Sequence, residues 1–89
     1  MTIRRIRRAI HEDLCTFAAH GLEQMDEDGF TKADVRLVLG GRVVSTQTDD
    51  PRGTRFVVCG RLSNGDIEVE VICRFLSSGL LRIITVYAV

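Results

Sequence analysis

The chain has 89 residues, with 12 Lys+Arg against 12 Asp+Glu and a formal net charge of +0. This length allows a single domain, residues 1–89, with one small core, and a composition 45% hydrophobic and 27% charged is that of a globular chain rather than a disordered or fibrous one. Neutrality excludes a protein whose whole surface grips nucleic acid, though not a local cationic patch.

The first segment, 2–14, reads as a helix, because Ile3, Ile6, Ile10 and Leu14 recur at helical spacing. Arg4, Arg5, Arg7 and Arg8 occupy the rest of the wheel, and positive charge in a first turn opposes the helix dipole. They are either solvated or face an anion. No apolar stretch is long enough for a membrane span, and this charged start lacks the apolar region of a signal peptide. With three scattered cysteines, Cys15, Cys59 and Cys73, and no CxxC, the expectation is a reduced, cytoplasmic protein without a disulfide framework. His11 and His20 complete no zinc pattern, so no metal or cofactor is expected.

Segment 18–28, AAHGLEQMDED, reads as a second helix, with Leu22 and Met25 inward and Gly29 as its cap. Thr31 opens a third, with Asp34 completing a loose capping box and Val35, Val38 and Leu39 as its buried side. Gly40 and Gly41 end it.

From residue 42 the hydrophobic period becomes two. The strands expected are 42–48, 54–62, 67–75 and 81–88, with turns at Asp49-Asp50-Pro51 and Gly53, at Asn64-Gly65, and at Ser78-Gly79. The fold class is therefore α+β: N-terminal helices packed on one face of a four-stranded antiparallel meander.

Register arithmetic carries this further. A two-residue turn at Asn64-Gly65 sets Ser63 opposite Asp66, then Arg61 opposite Glu68, Cys59 opposite Glu70, Val57 opposite Ile72 and Arg55 opposite Arg74. Phe56, Val58 and Leu62 then share the helix-facing side with Cys73, Val71 and Ile67. In the last hairpin an odd loop, Ser77-Ser78-Gly79, pairs Arg74 with Arg82, whereas a two-residue loop would bury Arg82 at a cost of several kcal/mol. Continuing that count sets Leu81, Ile83, Thr85 and Tyr87 beside Phe75, Cys73, Val71 and Val69 on the core face. The outcome is a row of Arg55, Arg74 and Arg82 pointing away from the helices. Like charges directly opposite destabilise a sheet, so the row implies a phosphate-bearing ligand or compensation by Glu68 and Glu70 on the same face. The basic residues are eleven Arg and one Lys, Lys32. That bias reflects either genome composition or the planar fork with which Arg grips phosphate.

Three stretches carry a family resemblance: His20-Gly21-Leu22-Glu23-Gln24-Met25; Gly29-Phe30-Thr31 through Asp34-Val35 to Gly41-Arg42-Val43-Val44; and Ile83-Ile84-Thr85-Val86-Tyr87, with Gly60 midway along the sheet. In order and spacing they resemble domain-of-unknown-function family 4258, whose predicted fold is similar to the RelE and BrnT toxins. The resemblance implies a metal-independent endoribonuclease of a bacterial toxin–antitoxin-type module, with RNA as substrate and an antitoxin-like protein as partner. Such chemistry needs a base for the ribose 2′-hydroxyl, cations for the phosphate and an acid for the leaving oxygen. His20 is the candidate base or acid, Arg55, Arg74 and Arg82 the cations, and Thr85 and Tyr87 hydrogen-bond donors, although the register above turns both into the core. Gln24 and Asp28 stand where the family pattern has arginine. The alternative is a non-catalytic interaction module of the same fold. Its basic helix, or the strand 42–48 as an open edge, would bind an acidic partner or a second copy in a homodimer.

Overall fold

The computed structural model describes residues 2–48, 51–62 and 67–89. Its elements in chain order are α1 (Thr2–His11), β1 (Cys15–Phe17), α2 (Ala19–Asp28), α3 (Lys32–Leu39), β2 (Arg42–Gln47), β3 (Arg55–Arg61), β4 (Glu68–Phe75) and β5 (Leu81–Ala88). The class is α+β, but the sheet has five strands in the order β1-β5-β4-β3-β2, and it is mixed. The expected four-stranded antiparallel meander is β2 to β5. The fifth strand, β1, runs parallel to β5 with Cys15 opposite Leu81 and Phe17 opposite Ile83. Three residues show no period, and their partner lies at the far end of the chain, so nothing local announces them.

β1 exists because α1 stops early. Asp13 takes a left-handed conformation, φ 56°. Leu14 N donates to Ala9 O and Asp13 N to Ile10 O, the paired bonds of a Schellman ending. The expected helix to residue 14 is thereby cut at His11. Leu14, the fourth member of the anticipated stripe, is left 38% exposed, while its carbonyl accepts from Leu81 N. Ile6 is the fully buried member of that stripe, and Ile10 packs at the margin of the core.

The other helix signals hold. α2 ends at Gly29, φ 75°, with Phe30 N bonded to Met25 O. α3 carries the full capping box: Asp34 N donates to Thr31 Oγ1 and Thr31 N to Asp34 Oδ2. Val35, Val38 and Leu39 are buried as expected. Leu22 is not, at 41% exposed, because α2 meets the sheet along a narrow seam of Gly21, Gln24 and Met25.

One face of the sheet forms the core. Phe56, Val58, Val69, Val71, Cys73, Leu81, Ile83 and Val86 meet Ile6, Ala9, Met25, Val35, Val38 and Leu39. α3 packs over β3 and β4, α1 against α3, and α2 along β5. The β3–β4 register agrees with the count from the sequence: Arg61 opposite Glu68, Cys59 opposite Glu70, Val57 opposite Ile72. The Asn64-Gly65 turn, its Ser63–Asp66 pair and Asp49-Asp50 lie outside the described residues. The odd loop before β5 also agrees, with Arg74 opposite Arg82 and Phe75 opposite Leu81.

The register then departs from the count. A bulge at Ile84 makes Cys73 face Ile83 but Ile72 face Thr85. Every later residue of β5 changes face: Val71 is opposite Val86 and Glu70 opposite Tyr87. Thr85 and Tyr87 therefore leave the core face where simple alternation had put them. The physical reason is visible in what replaces them. Unbroken alternation would turn two hydroxyl groups inward and Val86 outward, whereas the bulge buries Val86 completely.

Candidate functional site

The face away from the helices is built in cross-strand rows. The first runs Gln47, Arg55, Arg74, Arg82 and Thr16. Gln47 is opposite Arg55, Arg74 opposite Arg82, and Arg82 opposite Thr16. Arg55 and Arg74 lie one step beyond the Phe56–Cys73 pair. The second row is Ser45, Val57, Ile72 and Thr85, and the third Arg42, Cys59, Glu70 and Tyr87. Successive rows are about 6–7 Å apart along a strand, and neighbouring strands about 5 Å across. Thr85 thus stands midway between the arginine row and the Tyr87–Glu70 pair.

The arginines are half-buried. Arg74 Nε is shielded from solvent and has no hydrogen-bond partner among the described residues. A buried donor costs about 1–3 kcal/mol when nothing accepts from it, so an acceptor seated on this face would be favoured.

The third row is a hydrogen-bonded set. Tyr87 Oη donates to Glu70 Oε1 at 2.5 Å, and Cys59 Sγ to Glu68 Oε1 at 2.8 Å. The bond to Glu70, with some desolvation and the carboxylate's charge, raises the Tyr87 pKa, so the phenol keeps its proton at neutral pH. The bond to Glu68 and desolvation push the Cys59 thiol up to about 11. Burial pushes Cys73 to about 12 and raises Cys15 as well. All three cysteines are free, and none is a thiolate nucleophile near neutrality. An open hollow of about 380 Å³ adjoins this row, lined by Gly41, Arg42, Cys59, Gly60, Arg61 and Glu68.

His20 is exposed in the first turn of α2, and the backbone fixes where that turn sits. Ala18 N donates to Ile83 O, and a Cβ on Gly21 would lie 3.0 Å from Ile84 O and 3.4 Å from Ile83 O. The turn is pressed against the bulge, so His20 is carried on the helix that packs along β5. Arg55 lies two strands further in, about 10 Å from Arg82 across the sheet. By strand order, Arg82 and Thr85 are on β5, the strand that α2 packs along, with Arg74 one strand further in and Arg55 two.

Gln24 has a role of its own. Its Oε1 accepts from Val86 N at 3.3 Å, covering the part of the β5 edge that β1 does not reach. Arginine has no acceptor, so the family-pattern residue could not make this bond. The arginines of α1 are largely committed within the molecule. Arg5 lies 4.0 Å over the Phe75 ring, Arg7 Nη2 donates to Gly40 O at the end of α3, and Arg8 pairs with Glu12. Those contacts account for three of the four without an external anion.

The family model described as Domain of unknown function (DUF4258) matches residues 17–88. The chain belongs to the DUF4258 family. No curated protein and no solved structure matches it. The DUF4258 match takes in α2, α3 and strands β2 to β5 and leaves out α1, so the open face lies within the family domain and the N-terminal arginines do not. Among the described residues no group of three or more His, Cys, Asp or Glu side chains is placed to hold a metal ion, and no helix is long and apolar enough to cross a membrane.

Glu70 is the functional candidate that the sequence reading did not select. Its signal was the pairing with Tyr87, which only the bulge creates.

Proposed function

We propose that this DUF4258 chain is a toxin-like ribonuclease that cleaves single-stranded RNA on its open sheet face without a metal, in the manner implied by the RelE and BrnT likeness. The observation that carries this reading is the bulge at Ile84, which sets Thr85 and Tyr87 on the same face as Arg74 and Arg82.

A phosphodiester seated over Thr85 is within reach of both neighbouring rows. His20, at the β5 edge, takes the proton from the ribose 2′-hydroxyl. The 2′-oxygen bonds to phosphorus, and the bond from phosphorus to the 5′-oxygen breaks. Arg74 and Arg82 offset the charge gathering on the non-bridging oxygens, and Thr85 Oγ1 donates a hydrogen bond to one of them. Tyr87 protonates the leaving 5′-oxygen, and Glu70 orients the phenol. The products are a 2′,3′-cyclic phosphate and a 5′-hydroxyl. An antitoxin-like protein would restrain this activity by covering the face.

The test is cleavage of end-labelled single-stranded RNA by the purified chain, with product ends identified. A cyclic phosphate should form whether or not a chelator is present. Arg74→Ala should lower the rate by about 10²–10³-fold. His20→Ala should lower it by about 10²–10⁴-fold with circular dichroism unchanged. Cleavage that both variants leave intact, or a folded wild type that cleaves no RNA, would sink the reading.

A further inference from the structure

The two edges of the sheet are finished differently. On the β5 side the edge strand is β1, only three residues long, and α2 covers part of β5 beyond it, where Gln24 accepts from Val86 N. At the other end, among the described residues, β2 has no strand beyond it and is six residues long. Among the described residues, no backbone hydrogen bond outside the helices and strands involves 42–47, and no side chain bonds to that backbone. β2 also lacks most of the usual guards of an edge. It contains no proline, lysine or acidic residue, and its one charge is Arg42 at its start. The bulge at Val44 is the single device that blunts it, and it leaves Val44 45% exposed.

We infer that β2 pairs antiparallel with β2 of a second copy of this chain, across a two-fold axis perpendicular to the sheet. An exposed strand edge selects a strand as its occupant, because its outward N–H and C=O groups match another ladder. Three observations favour a second copy. A register centred on Val44 or on Ser45 sets Arg42 opposite Thr46 or Thr48, so no like charges meet across the seam. The chain's net charge is +0, so copies do not repel at long range. The helices pack mainly over β3, β4 and β5, which keeps the approach to β2 clear and lets all helices of the pair lie on one side of a continuous sheet. The arginine faces then join on the other side. A six-residue edge is only about 20 Å long and buries less than the roughly 1,200 Å² of a standard interface, so the pairing is concentration-dependent.

This inference stands independently of RNA cleavage, and sedimentation equilibrium over a wide concentration range tests it. The average mass should rise from 9.9 kDa towards twice that value. Val44→Lys should weaken association by about tenfold or more, because two ammonium groups then approach at the seam. Leu37→Lys, at an exposed position on α3, should leave association unchanged. Amide exchange in 43–47 should slow as concentration rises. A wild type that stays at 9.9 kDa at every concentration overturns the inference, and so does a dimer that a folded Val44→Lys variant leaves equally tight.

Discussion

Along β4, Val69, Val71 and Cys73 alternate with Glu68, Glu70, Ile72 and Arg74, and the two sets have opposite fates. The first set is almost wholly removed from water against the helices, and its contribution is burial. The second is half-buried without any covering layer among the described residues, and Glu68 and Glu70 accept from Cys59 and Tyr87. A single strand thus holds the fold together with one face and holds polar groups in fixed positions with the other. Rigid strands place side chains more reproducibly than loops do, which suits the chemistry proposed for this face.

That contrast can be broken most severely at the bulge. Val86→Asp puts a carboxylate at the fully buried position that the bulge creates. We expect the chain to lose its cooperative urea transition; a variant that unfolds at the wild-type midpoint would show that the bulge does not assign the faces. A neighbouring pair sharpens the same point. Leu81→Ala should cost about 2–5 kcal/mol in urea unfolding, as a fully buried side chain is removed. Arg82→Ala, one residue on, should change stability by no more than about 1 kcal/mol while lowering RNA cleavage. Equal destabilisation by the two would erase the distinction between the faces.

The smallest effect is expected with pH. Cys59 has its folded pKa raised from 9.0 to about 11, chiefly by its bond to Glu68. A raised pKa means that the native state holds the proton more tightly, so this stabilisation is complete below about pH 9 and is lost as pH climbs through about 11. Tyr87 is shifted in the same direction by Glu70. Urea midpoints should therefore fall over this window, and Cys59→Ala should flatten the decline. A midpoint that rises with pH, or a slope indifferent to Cys59→Ala, would show that the thiol is not held by Glu68.

How much of this was legible in the sequence depends on range. The capping box of Thr31 and Asp34 and the ending at Gly29 are local devices. The residues that make them are adjacent, and both are found as read. The arginine row was also legible, because loop lengths and the need to keep Arg82 out of the core suffice to count across two hairpins. β1 was not, since its reason to be a strand is the edge of β5 rather than anything in Cys-Thr-Phe. Leu22 was misplaced because the seam of α2 is set by its docking at Gly21, not by its own periodicity.

The amino-acid sequence by itself determined the helices, the four-strand meander and the alignment of Arg55, Arg74 and Arg82, all consequences of short-range pattern and pleat. Only the tertiary structure decided that Tyr87 and Thr85 join those arginines. The extra residue at Ile84 is chosen by what must be buried, Val86 rather than two hydroxyls, and by a helix that presses against the bulged carbonyls. Neither preference can be counted from one end of a strand.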